Sequence, residues 1–106
     1  MVVKIIMKVY AKEGMSKDEF VNYWLTKHAP LAKRLFGDIL KKYVISIVMS
    51  AEGEEPGYQG IAELWFENMA VVQKMMASRA FKQVMAESAN FSRKGTWLML
   101  EEHTII

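Results

Sequence analysis

Apolar and polar positions alternate over the first ten residues. Val3, Ile5, Met7 and Val9 share one side of an extended chain, and Val2, Lys4, Ile6, Lys8 and Tyr10 the other, which predicts a strand over 2–10. The period then lengthens. Ser16 and Glu19 form an S-x-x-E capping box, so a helix starts at about Lys17. Phe20, Trp24, His28, Leu31 and Leu35 follow at steps of four, four, three and four, one stripe at helical period that turns His28 toward the core. Pro30 has no N–H to offer the Thr26 carbonyl, and a kink or fresh helical start is expected there. Alternation returns over 41–50, with the large set Tyr43, Ile45, Ile47 and Met49 against the small set Val44, Ser46, Val48 and Ser50. A polar loop over Ala51–Gly57 leads to a third strand over 58–66, with Gln59, Ile61, Glu63 and Trp65 on one face and Gly60, Ala62, Leu64 and Phe66 on the other. Helical patterning runs from Asn68 to about Ala89, with an internal restart offered by Ser78. A last strand places Trp97, Met99, Glu101 and His103 opposite Thr96, Leu98, Leu100 and Glu102.

This order, βαββαβ, is that of an α+β, ferredoxin-like domain: a four-stranded antiparallel sheet with two helices on one face. The 106 residues suit a single domain over 1–106. All four strands offer apolar side chains in both directions, so the face without helices needs a cover. The apolar fraction of 52% lies at the top of the ordinary range of about 45–50% and agrees with such a cover, most simply a second copy in a homodimer.

Charge and cysteine content narrow the function. Fourteen Lys plus Arg against twelve Asp plus Glu leave +2 with no basic cluster, which argues against nucleic acid as a partner. Without cysteine there is no disulfide framework, thiolate nucleophile or Cys-ligated zinc. The apolar start is broken by Lys4 and Lys8, too short and too charged to span a membrane or serve as a secretory segment, and the cytoplasm is the expected compartment. No local metal-ligand spacing links His28 to His103, and no P-loop or G-x-G-x-x-G is present, so neither a bound metal nor a nucleotide cofactor is expected.

His28 is the first candidate for chemistry. An imidazole exchanges a proton near neutral pH, which suits enolisation, lactone opening or loss of water beside a carbonyl. The competing reading is a structural histidine bonded to the carbonyl that Pro30 frees. Glu63 is the second, since a carboxylate between Ile61 and Trp65 is costly to bury unpaired. In a cavity shared with His28 it would complete an acid/base pair; otherwise it anchors the strand through a cation or the backbone. Tyr23 and Tyr43 offer phenolic donors. Trp24, Trp65 and Phe81 belong to an aromatic set that lines either a pocket for a flat ligand or the core.

The segment Ser16-Lys-Asp-Glu-Phe-Val-Asn-Tyr-Trp-Leu-Thr-Lys-His-Ala-Pro-Leu31 resembles the F-x-x-Y-W-x-x-x-H-x-P-L signature of the EthD family. Tyr58–Phe66 is similar to the family's third strand, and Ala77–Phe81 with Ala89–Phe91 to its second helix and exit. The resemblance implies a dimeric α+β barrel, two ferredoxin-like sheets packed face to face with helices outside, and a cleft between helices and sheet lined by His28. The family is named for a small protein encoded with an oxidative system that degrades ethyl tert-butyl ether, and its relatives include cofactor-free lactone isomerases and polyketide cyclases or dehydratases. Three functions are therefore expected in competition: a cofactor-free enzyme with His28 and Glu63 as catalytic residues and Tyr23, Trp24, Tyr43, Trp65 and Phe81 around a small-molecule ligand; a non-catalytic accessory protein of an oxidative system; and a cofactor-independent oxidoreductase.

Overall fold

The computed structural model describes residues 2–51, 53, 57–93 and 95–106. Five strands, β1 (Val3–Ala11), β2 (Lys42–Ile47), β3 (Gly60–Phe66), β4 (Ser92–Arg93) and β5 (Trp97–Glu101), form one antiparallel sheet. Its order is β2-β3-β1, with β4 and β5 both on the far side of β1. β5 is the expected last strand, shortened so that His103 lies beyond its end, and β4 is an additional two-residue strand ahead of it. Tyr10 pairs with Arg93 and Met7 with Trp97, so two residues of β1 face three of the other chain, which is a β-bulge. Gly95 sits in it because a Cβ there would collide with the Lys8 carbonyl oxygen. The loop expected over Ala51–Gly57 lies largely outside the described residues, at 52 and 54–56.

The first helical segment starts as the capping box requires: Ser16 Oγ accepts from the Glu19 N–H, and the Glu19 carboxylate accepts from the Ser16 N–H. It runs through α1 (Lys17–Tyr23), a π-helical turn (Trp24–His28) and α2 (Ala29–Phe36). The interruption thus begins before Pro30, as a wider turn in which the Ala29 N–H reaches back five residues to the Trp24 carbonyl. Pro30 opens α2, where a missing N–H is tolerated. This turn also changes the buried stripe. An α-helix advances roughly 40° past a full turn for every four residues, and the wider turn takes up that drift. The buried row is therefore Phe20, Trp24, His28, Ala32 and Phe36, at steps of four throughout, with Leu31 and Leu35 half-buried on its flank.

The second helical region is split at Ser78, whose hydroxyl caps α4 (Arg79–Ser88) through the Phe81 N–H after α3 (Met69–Met76) has ended. Helices cover the sheet face built from Ile5 and Ala11 of β1, Tyr43, Ile45 and Ile47 of β2, and Gly60, Ala62, Leu64 and Phe66 of β3, whereas Met49, expected in the same row, lies past the end of β2 and is exposed. Glycine and alanine fall on this face for a steric reason. The Trp24 ring lies against β3, and a Cβ at Gly60 would come within 2.5 Å of it. Among the described residues no helix is long and apolar enough to cross a membrane.

Among the described residues no helix lies on the other face. It carries Ile6, Val44, Ile61, Leu98 and Leu100 around a polar cluster. Lys4 Nζ lies 2.6 Å from Glu63 and 3.3 Å from Glu102, Trp65 Nε1 donates to Glu102 at 2.9 Å, and the ammonium groups of Lys4 and Lys42 both lie over the Trp65 ring.

Candidate functional site

Between the helices and the covered face of the sheet lies a cavity of about 460 Å³, within the range that holds small organic ligands. Ile5, Met7 and Val9 of β1 with Ala62, Leu64 and Phe66 of β3 form its floor. Trp24 and His28 enter from the π turn, Tyr43 from β2, Phe81, Val84 and Met85 from α4, and Trp97 from β5. Phe81 and Trp97 meet edge to face at 5.6 Å, and Phe91 packs 4.8 Å from the His28 ring. Almost every wall is apolar, so the few polar groups decide what the cavity can do.

His28 Nδ1 lies 3.1 Å from Glu87 Oε1, and the other oxygen of Glu87 accepts from Tyr23 at 2.5 Å and from Asn90 at 3.0 Å. Those hydrogen bonds hold the charge state of the carboxylate. Burial works against its ionised form, but the bonds from Tyr23, Asn90 and His28 outweigh burial and keep its pKa below the usual 4.5. The imidazole moves down too: burial lowers it from 6.5, and the bond to Glu87 and its charge offset this only in part. At neutral pH the pair is thus a carboxylate and a neutral imidazole. Because a carboxylate only accepts, Nδ1 carries the proton. Among the described residues Nε2 has no hydrogen-bond partner, yet no buried polar side-chain atom is left unpartnered, so Nε2 looks into the cavity with a free lone pair.

Tyr43 is the second polar group. Its oxygen accepts from Trp24 Nε1 at 3.0 Å, and burial, countered only partly by that bond, raises its pKa and keeps the phenol protonated. The phenolic proton is free to be donated to a ligand oxygen. Ser88 and Ser92 also line the cavity, but their hydroxyls donate to the carbonyls of Met85 and Ser88. Lys8 and Arg93 also reach the lining, with Arg93 Nε donating to the Ala11 carbonyl, so the cavity offers a proton acceptor at His28 and a donor at Tyr43 within walls that are largely apolar but include two cationic residues.

The sequence-derived site is thus partly assembled. His28, Trp24, Tyr43 and Phe81 share the cavity. Tyr23 stands behind it on Glu87, stacked on Phe91 at 5.4 Å, rather than touching the cavity. Glu63 and Trp65 lie on the opposite face of the sheet, so the expected pairing of Glu63 with His28 is not made; Glu63 is bound to Lys4, the anchoring role weighed against it. The carboxylate beside His28 is Glu87, and the ring bonds this side chain rather than a carbonyl freed by Pro30. One signal for Glu87 was present in the sequence: it follows Val84 by three residues, on the edge of the stripe that faces the first helix.

Residues 12–95 match the EthD domain. An uncharacterised 11.0 kDa protein from the thcB-thcC intergenic region of Rhodococcus erythropolis is 28% identical over 88 residues, covering 82% of this chain and 84% of that protein. Among solved structures, an ethyl tert-butyl ether D (EthD) family protein from Bacillus halodurans has a TM-score of 0.79 at 20% identity, covering 97% of this chain and 100% of that one. A dimeric ferredoxin-like protein of unknown function from Thermobifida fusca gives 0.71 at 14% identity, with coverage of 94% and 90%. SnoaB, a cofactor-independent oxygenase from Streptomyces nogalater, gives 0.67 at 8% identity, with coverage of 99% and 96%. At these identities the solved structures share the fold.

Proposed function

The chain belongs to the EthD family, and on that premise we propose that it forms a homodimer whose subunits each take up a small, largely apolar carbonyl compound, lactone or aromatic polyketide-like molecule and convert it by acid/base chemistry without a cofactor. The observation that carries this reading is the placement of His28, its Nδ1 bonded to Glu87, and of the Tyr43 hydroxyl in the lining of one largely apolar cavity. The reaction begins as His28 Nε2 removes a proton from carbon beside the carbonyl. The C–H electron pair moves to the carbonyl oxygen, Tyr43 hydrogen-bonds the enolate, and return of the proton elsewhere completes an isomerisation, while in a dehydration the enolate electrons expel a β-hydroxyl, which takes the proton from the His28 imidazolium and leaves as water.

The pH dependence follows from the direction of the His28 shift. The acceptor is the neutral ring, so kcat/KM falls on the acid side with a midpoint below 6.5, and that limb disappears in His28→Gln. Stability has the same sign. A folded-state pKa below the unfolded value means that the unfolded chain binds the proton more readily, so stability contributed here is present above about 6.5 and is lost as pH falls through the folded pKa. Urea unfolding of both proteins between pH 7.5 and 5 checks this, with a shallower slope expected for the variant.

Dimerisation is supported by the uncovered sheet face and by the ferredoxin-like neighbour from Thermobifida fusca, which is described as dimeric. Ile61 is half-buried on the exposed face of the central strand β3. Ile61→Glu is expected to sediment as a monomer at micromolar concentration with its helical circular dichroism retained, because association would have to bury a carboxylate, together with the Lys8 opposite it, between two sheets.

A second reading draws on the likeness to SnoaB: the enolate or phenolate formed at His28 reacts with dioxygen, with substrate supplying the electrons. Oxygen uptake separates it from isomerisation or dehydration, which consume none.

A further inference from the structure

We propose that Glu87 is a positioning residue that fixes the tautomer of His28, and that Tyr23 and Asn90, together with the π turn, hold it in that role. The inference rests on the reading of His28 as a proton acceptor and adds what makes it one.

The geometry leaves little freedom. Glu87 Oε1 faces His28 Nδ1 at 3.1 Å, and Oε2 is held by the Tyr23 hydroxyl at 2.5 Å and by Asn90 Nδ2 at 3.0 Å. Asn90 Nδ2 also lies 3.2 Å from the Tyr23 oxygen, so that oxygen accepts and its own proton is directed at Glu87. Two donors therefore fix Oε2 from behind, and Oε1 is presented to the ring. On the first helical segment Tyr23 and His28 are five residues apart, which in a regular α-helix separates two side chains by roughly 140°. The π turn begins just after Tyr23 and ends at His28, and its wider winding brings both side chains to one side, where a single carboxylate from α4 reaches them. Glu87 in the last turn of α4 and Asn90 in the turn that follows it complete the clamp.

The chemical consequence is directional. With Nδ1–H donated to Glu87, the lone pair is on Nε2, toward the cavity. When Nε2 takes a proton from the ligand, the imidazolium forms against a carboxylate already in place, which offsets the burial of the new charge. The proton returns to the ligand in the second half of the reaction, and no electron leaves the pair.

Glu87→Gln tests this, because it keeps the shape and changes what the His28-facing atom can do. Tyr23 and Asn90 require an acceptor, so the new amide turns its oxygen to them and its NH2 to His28 Nδ1. The ring must then accept at Nδ1 and carry its proton on Nε2. Long-range 1H–15N spectra of the imidazole at neutral pH are expected to show Nδ1–H in the wild type and Nε2–H in Glu87→Gln, with proton abstraction slowed by ~10²-fold. Tyr23→Phe retains a carboxylate and is expected to retain Nδ1–H. An Nε2–H ring in the wild type, or an Nδ1–H ring in Glu87→Gln, overturns the proposal. If Glu87→Gln does not fold, Glu87→Ala takes its place: a mixture of Nδ1–H and Nε2–H rings supports the proposal, and a ring still held as Nδ1–H overturns it. Inversion of the tautomer in a protein whose proton-transfer rate is indifferent to His28→Gln supports the role of Glu87 while removing the function proposed for His28.

Discussion

Replacing His28 with Gln is expected to slow proton abstraction by ~10²–10⁴-fold while leaving the fold intact. The substitution is chosen for what it keeps. An amide can still donate to the Glu87 carboxylate and occupies much of the space of the ring beside Phe91, so the buried polar pair stays satisfied and the cavity does not collapse. It cannot take up a proton at neutral pH. Cavity binding of an unreactive apolar ligand is thus expected to survive with little change in Kd while kcat drops, a split that identifies a catalytic rather than a binding contribution. Thermal melts and sedimentation check that fold and assembly are unchanged.

Gly95→Ala is expected to have the largest effect on stability. The glycine lies at the bulge that joins β4 to β5, with no room for a Cβ beside the Lys8 carbonyl. Backbone, not a flexible side chain, is the obstacle, so the strands must separate or the bulge must shift. Overpacking of this kind costs about 3 kcal/mol, which in a domain of this size lowers Tm by roughly 15 °C. The site suffers as well. The bulge sets the register that turns Trp97 toward the cavity, and a one-residue slip would send that indole to the other face of the sheet. Calorimetry together with Trp fluorescence in the presence of ligand separates the two consequences.

The fold was legible in the sequence because its signals are local. The Ser16/Glu19 box, the Ser78 restart and the period-2 alternation of β3 depend on neighbours a few residues away, and the structure reproduces them, whereas Met49 and His103 fall beyond the ends of β2 and β5. Family membership was legible from the segment Phe20–Leu31, since the EthD match includes it. The site was legible only where one element sufficed: Trp24 and His28 fall on one helical stripe at any plausible winding. Glu63 was misplaced because both faces of β3 look buried by composition, and the choice between them depends on the bulk of Trp24 against Gly60, a contact between distant segments. Glu87 went unseen for a related reason. A carboxylate on an amphipathic helix is ordinarily solvated, and only the crossing of α4 with the first helical segment, set by the π turn, brings it to the imidazole. The last two residues of the stripe, Ala32 and Phe36 rather than Leu31 and Leu35, shift by one for the same cause.

The central claim is that His28 removes a proton from a carbonyl compound held in the cavity. Its most direct test is the exchange of α-hydrogen for deuterium in D2O, followed by NMR over a panel of enolisable aryl ketones and small lactones, with wild type and His28→Gln side by side. If His28 is the acceptor, wild-type protein accelerates exchange at the carbon beside the carbonyl of at least one compound, and His28→Gln returns that rate to the buffer value. Exchange no faster than buffer across the panel, or equally fast with both proteins, contradicts it.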